Sequence, residues 1–260
     1  MKKRKPISLE DRKVVQLEML KEIDAFCRTN KIRYSLAFGT LLGAIRHKGF
    51  IPWDDDVDIM MPLPDMLLFK KLFHSNTMKY CDVDTDKNYE FPFSRIANIN
   101  TYNKIGIIAK TYGICIDLYP VVSIPRDKEQ CDSFFFKAQQ LTTRRFCYIN
   151  WRNRLVRHFP CKSILGFNKV MKNYRDWILN KENYGESGLY YAVAGYLNLR
   201  DKMIYDFDLF DNLTEVEFES YKFLSIAHYD KYLSMRYGNY MQLPPENERH
   251  PYHGGKYYWR

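Results

Sequence analysis

The segment Trp53-Asp54-Asp55-Asp56-Val57-Asp58-Ile59-Met60-Met61 limits what this chain can fold into more than any other stretch. Its acids run without a break into apolar residues, so they sit at the edge of a core, where an uncompensated charge is expensive. From Asp56 the pattern alternates acid and apolar residues, as a strand does. Asp56 and Asp58 would then point the same way, roughly 6.5–7 Å apart. Two carboxylates so placed repel unless a cation lies between them. A hard divalent ion takes carboxylate oxygens together with substrate phosphates, which suits metal-assisted phosphoryl chemistry. No direct role is assigned to Asp54 or Asp55. A calcium loop would count Asp54, Asp56, Asp58 and Asp65 as ligands. It fails because Ile59 stands where the loop needs glycine and Pro62 and Pro64 interrupt it.

Two further features join the acids. Upstream, Gly39-Thr40 follows a strand-like run and opens a helical turn. Such a junction offers backbone N–H groups and a hydroxyl to a phosphate, and glycine admits the phosphate closely. Downstream, Asp117 lies inside the otherwise apolar Ile114-Cys115-Ile116-Asp117-Leu118-Tyr119, where a carboxylate needs a metal, a hydrogen-bond network or a salt bridge.

The remaining pattern mixes helix and strand. Residues 9–29 read as a helix begun by Ser8 and Asp11, with Val15, Met19, Ile23 and Phe26 on one face. Strands are expected over Ile32–Phe38, Asp56–Met61, Arg95–Asn98 and Ile114–Tyr119, the last stopped by Pro120 and Pro125. Short helices are expected over Leu41–Arg46 and Asp65–Phe73. Glu217–Glu219 and Lys222–Leu224 read as a hairpin turned at Ser220-Tyr221, and a final helix over His228–Tyr237 ends at Gly238. The expected organisation is a core over 1–125, a basic helical region over 126–205 with an apolar stripe at Ile164, Phe167, Met171, Tyr174 and Ile178, and a C-terminal part over 206–260 completing the core.

Charge is uneven. The 260 residues carry a net +9, yet Ser133–Arg175 holds ten Lys or Arg and no acid, so the rest is near −1. A basic face calls for an anionic partner, such as a phosphate-bearing substrate, an acidic bilayer or nucleic acid. Phe134, Phe135, Phe136, Phe146, Trp151 and Phe159 interleave with those charges, as a helix lying on a membrane would allow; a basic layer over the core is the competing reading. No apolar run reaches membrane-spanning length, and the basic opening residues have no apolar stretch after them, so the cytoplasm is the expected location, with peripheral contact to the inner membrane face. The six scattered cysteines show no metal spacing and read as reduced thiols.

The stretch from Tyr34 to Ile59, with Phe38-Gly39-Thr40-Leu41-Leu42-Gly43-Ala44-Ile45-Arg46-His47-Lys48-Gly49-Phe50-Ile51-Pro52-Trp53 leading into the acids, closely resembles the signature of the LicD family of phosphocholine transferases. That family is distantly related to the fukutin proteins, within the nucleotidyltransferase superfamily. Ile116-Asp117-Leu118-Tyr119-Pro120 resembles a later strand of the family, with Tyr119 in place of Phe. Tyr237-Gly238-Asn239-Tyr240-Met241-Gln242-Leu243-Pro244-Pro245 resembles its tail, with Asn239 at the usual Asp.

The resemblance implies an α+β fold, a nucleotidyltransferase-like mixed sheet with flanking helices. It implies a phosphate held at Gly39 and Thr40, and Mg²⁺ (or Mn²⁺) held by Asp56, Asp58 and Asp117. Asp117 serves either as metal ligand or as the base for an acceptor hydroxyl. The implied donor is a CDP-linked alcohol, CDP-choline foremost, with ribitol and glycerol analogues left open. The acceptor is a glycan or lipid-linked glycan, and CMP is released. Arg46, Lys48 and Arg95 are candidate phosphate contacts. Trp53 and tail tyrosines could surround a quaternary ammonium. A D-x-D glycosyltransferase is the rival enzyme, disfavoured because only one helix and one strand precede the acids. A nucleotidyltransferase proper would release diphosphate instead of CMP. Nucleic-acid binding leaves three carboxylates unexplained.

Overall fold

The computed structural model describes residues 5–86, 89, 91, 93–105, 108–110, 112–141, 172–173, 175–177, 189–192, 204–206, 208–251 and 255–260. They divide into two compact units. Unit 1 holds Met1–Tyr80, Arg95–Pro120 and Leu209–Arg260, and unit 2 holds Cys81–Ser94 and Val121–Asp208. The fold is α+β, with helices alongside a mixed sheet.

Unit 1 opens with helix α1 (Leu9–Thr29). Ser8 caps it: the Asp11 backbone N–H donates to the Ser8 hydroxyl at 3.0 Å, and Glu10 and Asp11 suit the positive helix end. Its buried stripe is Gln16, Met19, Leu20, Ile23 and Cys27, rotated slightly from the expected one. Phe26, at the margin, packs edge-on against Phe69 and Phe73 with centroids 5.4 and 5.2 Å away. After β1 (Ser35–Leu36) comes α2 (Phe38–His47), then β2 (Asp58–Pro62) and α3 (Leu63–Leu72). Helix α3 starts two residues earlier than expected, because Pro64 fits the first helical turn, where its missing N–H is no loss.

Strands β3 (Met78–Cys81), β4 (Ser94–Asn98), β5 (Thr101–Ile105), β6 (Ile108–Lys110) and β7 (Cys115–Ile124) follow. The main sheet runs in the order β1-β2-β7-β4-β3. Strand β1 is antiparallel to β2, with Ser35 opposite Met60 and Leu36 opposite Ile59. The centre of this sheet is almost wholly buried: Ile59, Met60, Ile96, Ile116 and Leu118 have no exposed surface.

Pro120 does not end β7. The strand continues to Ile124, and its pairing with Leu189–Ala192 begins only at Val121, so the proline's missing N–H removes no bond from that ladder.

The hairpin is longer than expected, Leu213–Phe218 against Tyr221–Ile226, and it turns one residue earlier than expected, at Glu219 and Ser220 with φ of 50° and 66°, so Tyr221 already belongs to the second strand. Two successive left-handed residues make the turn whose twist matches a hairpin. The buried Ser35 hydroxyl accepts the Ile226 N–H at 3.0 Å, tying this hairpin to β1. Tyr229–Tyr237 then forms a helix stopped at Gly238 (φ 67°), and Lys256–Trp259 pairs antiparallel with β5.

In unit 2, Leu189–Ala192 pairs with both Val121–Ile124 and Ile204–Tyr205. Residues 128–141 are helical and bury Cys131, Phe134, Phe135, Ala138 and Leu141. Phe134 packs on Trp177 at 4.7 Å, so two of the three consecutive phenylalanines are core residues, and Phe136 alone is exposed. Residues 142–171, most of the basic window, lie outside the described residues, as does the expected stripe Ile164, Phe167, Met171, Tyr174 and Ile178. No helix among the described residues is long and apolar enough to cross a membrane.

Candidate active site

The site lies in unit 1, where the N-terminal end of α2 meets the start of β2 and the first half of β7. Asp58 is the first residue of β2 and is buried. Asp56 stands two residues ahead of the strand and is half-buried, so the two acids are set by a loop-to-strand junction and not by the alternation of one strand. Asp117 comes from β7, whose backbone N–H donates to the Val57 carbonyl at 2.9 Å, bringing Asp117 level with the acidic segment.

These carboxylates feel one another. Burial first, then the charges of Asp56, Asp117 and Asp54, push the Asp58 carboxyl well above the usual range. Tyr119, two residues beyond Asp117 and thus on the same face of β7, donates its phenol to Asp58. That phenol is itself pushed up by burial and then by Asp58, Asp117 and Asp56. The other oxygen of Asp58, Oδ1, is fully buried and has no hydrogen-bond partner. An orphaned carboxylate oxygen among other carboxylates costs several kcal/mol unless the group is protonated or a cation fills the gap, by the order of magnitude expected for buried ions. The donor set is all oxygen, which fits a hard divalent ion such as Mg²⁺ or Mn²⁺ and not a thiol- or imidazole-seeking one.

Asp117 is not isolated. Arg95 holds it through Nε to Oδ1 at 2.6 Å and Nη2 to Oδ2 at 2.9 Å, with the two side chains 18% and 9% exposed. Arg95 is therefore placed on a carboxylate of the site.

Helix α2 enters with strained backbone. Ala37 is extended, and Phe38, the first helical residue, has φ 44°, a conformation a bulky residue avoids. Gly39 and Thr40 therefore lie inside the first turn and not ahead of it. Each also has a structural task there that leaves its own backbone N–H uninvolved. A Cβ on residue 39 would lie 2.7 Å from Asp54 Oδ2, so glycine is needed for the Asp54 carboxylate to lie over the helix end. The buried Thr40 hydroxyl accepts the Asp58 backbone N–H at 2.8 Å and anchors the start of β2.

Asp54 and Asp56 share a side-chain hydrogen bond, and the Asp54 carboxyl is pushed up chiefly by burial. Ligand atoms of Asp54, Asp55 and Asp56 all fall within 4.8 Å of one another. Asp55 also faces α1: it lies 3.6 Å from Arg12, and its carbonyl accepts from Gln16 at 3.4 Å.

Arg46 and Lys48 are placed elsewhere. Arg46 lies two turns beyond Gly39, about 10 Å along the helix. Its Nη1 donates to the carbonyls of Tyr240 and Gln242 at 2.7 and 3.2 Å. Lys48 is an exposed left-handed cap (φ 59°) whose carbonyl accepts the Glu219 N–H. Trp53 carries the Arg249 guanidinium over its ring at 5.5 Å and His47 edge-on at 6.1 Å.

Two residues that touch the acids, and a third that packs at the start of α2, went unassigned in the sequence. Asp54 was signalled by Gly39, which needs a reason to lack a side chain. Tyr119 was signalled by period-two spacing from Asp117. Arg236 had no local signal: it reaches Phe38 from a helix 198 residues later, with its guanidinium 4.4 Å from the ring centroid.

Residues 31–160, half of the chain, match the family described as LicD/FKTN/FKRP, nucleotidyltransferase domain. Over 260 aligned positions, covering 96% of this chain and 97% of the other, the sequence is 27% identical to the lipopolysaccharide cholinephosphotransferase LicD of Haemophilus influenzae. A shorter match, 37% identical over 65 residues, covers 25% of this chain and 21% of an uncharacterized protein of Rickettsia typhi. Another, 48% identical over 42 residues, covers 16% of this chain and of an uncharacterized protein of Rickettsia prowazekii.

Proposed function

The chain belongs to the LicD/FKTN/FKRP family, and from that premise we propose that it transfers phosphocholine, or a related phospho-alcohol, from a CDP-linked donor to a hydroxyl of a lipopolysaccharide or another cell-surface glycan precursor, releasing CMP. The full-length similarity to a lipopolysaccharide cholinephosphotransferase supports the reaction class and the acceptor class. The single observation that carries the site is the buried, unpartnered Oδ1 of Asp58 among the charges of Asp56, Asp117 and Asp54.

In this reading Asp56 and Asp58, with Asp117, would hold Mg²⁺ (or Mn²⁺), which supplies neutralisation of charge on the reacting phosphates. The first-turn N–H groups of α2, at Gly39 and Thr40, have no partner within the helix and are aligned with its positive dipole end, so they can receive a phosphate oxygen. Asp117, kept in register by Arg95, takes the proton of the acceptor hydroxyl or completes the metal's ligand set. The acceptor oxygen forms a bond to the choline-bearing phosphorus while that phosphorus loses its bond to the bridging oxygen, which leaves with CMP. Catalysis is then chiefly positioning and electrostatics. Cytoplasmic placement and contact with an anionic membrane face belong to the same proposal.

The test is incubation with Mg²⁺, a panel of CDP-alcohols and lipopolysaccharide acceptors, following CMP and labelled glycan. Choline-dependent CMP release that requires acceptor and is abolished in Asp58→Asn supports the reading. Release of diphosphate, or undiminished turnover of Asp58→Asn, overturns it.

A further inference from the structure

Resting on that reading of the site, we propose that Arg236 is the cation that grips the donor's diphosphate across from the carboxylates, and that Phe38 is the positioning residue that holds its guanidinium in place.

Arg236 is in the last turn of the helix Tyr229–Tyr237, far from the acidic segment in sequence. Two aromatic rings fix it. Its guanidinium carbon lies 4.4 Å from the centroid of Phe38 and 5.4 Å from that of Tyr237, and its Nε and Nη1 are buried. Each ring also leads to the acids. Phe38 is the residue before Gly39, whose missing Cβ makes room for Asp54. It also packs edge-on against Tyr119 at 4.9 Å, and Tyr119 bonds Asp58. Tyr237 hydrogen-bonds Arg236; its phenol is pushed up by its crowded surroundings first, and the negative charges of Asp58 and Asp54 add to that. Arg236 is therefore joined to the carboxylates through two packed rings, Phe38 and then Tyr119, beside the N-terminal end of α2.

The backbone strain at Phe38 fits this role. A left-handed phenylalanine costs on the order of 1–3 kcal/mol. Here the strained residue puts its ring between Tyr119, Tyr232 and Arg236. A planar guanidinium stacked on a ring keeps its in-plane N–H groups aimed in fixed directions, which suits two phosphate oxygens better than a lysine's point charge does. A diphosphate lying between a carboxylate-bound cation and Arg236 would meet positive charge on both sides.

The test separates anion binding from chemistry and from folding. Binding of Mg²⁺-pyrophosphate and of CDP-choline is measured by titration calorimetry for the wild type, Arg236→Gln, Arg236→Lys and Phe38→Leu, alongside Mn²⁺ binding by electron paramagnetic resonance. The expected result is pyrophosphate binding weakened about tenfold or more in Arg236→Gln, a loss equivalent to about 1.4 kcal/mol. Arg236→Lys and Phe38→Leu should show smaller losses, with Mn²⁺ binding unchanged in all three. Wild-type pyrophosphate affinity in Arg236→Gln, or a parallel loss of Mn²⁺ binding, overturns the proposal. If Arg236→Gln does not fold, Arg236→Lys and Phe38→Leu decide by the same criteria. Arg236-dependent pyrophosphate binding without CDP-choline binding would uphold the subsite and remove the proposed donor. A wild type that binds Mn²⁺ but no pyrophosphate would overturn the subsite.

Discussion

The Asp54 carboxylate occupies the space that a side chain at position 39 would need: a Cβ there would stand 2.7 Å from Asp54 Oδ2. The glycine and the acid are therefore one unit, and their substitutions should not add. Gly39→Ala should lower stability in the wild-type background. In an Asp54→Ala background the clash is gone, and the same change should be neutral or stabilising by up to about 1 kcal/mol, the helix preference of alanine over glycine. Urea unfolding of the four proteins measures this coupling, and additive effects would show that the contact is relieved by local movement.

The Thr40 hydroxyl and the Asp58 N–H are buried together at 2.8 Å. Thr40→Val preserves shape but strands the N–H, and should cost about 1–3 kcal/mol. Thr40→Ser keeps the acceptor and should lose less. Chemical denaturation of both variants checks the order.

The acids should make the cation-free protein sensitive to pH in an unusual direction. A carboxyl whose folded pKa is raised binds more protons in the folded than in the unfolded state, so stability falls as pH rises from the ordinary carboxylate value of 3.8 through the raised value of Asp58. Relative to Asp58→Asn, the wild type should therefore melt at progressively lower temperature as pH increases. At high pH, Mg²⁺ should restore stability to the wild type, by about 2.7 kcal/mol at a hundredfold excess over Kd, and leave Asp58→Asn unmoved. Thermal melts across pH, with and without Mg²⁺, read both effects.

Arg46 is expected to act on the tail. Its donors to the Tyr240 and Gln242 carbonyls make it a clamp, and exposed Met241 and Leu243 lie beside those carbonyls in the chain. Arg46→Ala should accelerate limited proteolysis within residues 239–245, and Arg46→Lys should do so less. An unchanged cleavage rate would remove the clamp.

Much of the fold could be read along the chain because it follows local rules. Ser8 with Asp11 starts α1, Pro62 and Pro64 mark the passage from β2 to α3, and Gly238 ends the last described α-helix, each through the backbone chemistry of one or two residues. Where local rules failed, a neighbour had intervened. Pro120 sits within β7 because the pairing beyond it begins at the next residue. Arg46, inside the signature, is occupied by carbonyls from the tail, and Arg95 by Asp117.

By itself, the sequence determined that acids at 54–58 and 117 must meet a core, and which family's pattern they follow, because composition and spacing along a strand are properties of the chain. Only the tertiary structure decided which groups share their electrostatic field. Tyr119 on Asp58, Asp54 over Gly39 and Arg236 on Phe38 are contacts between elements, and a contact made across as many as 198 residues leaves no period for a linear pattern to show.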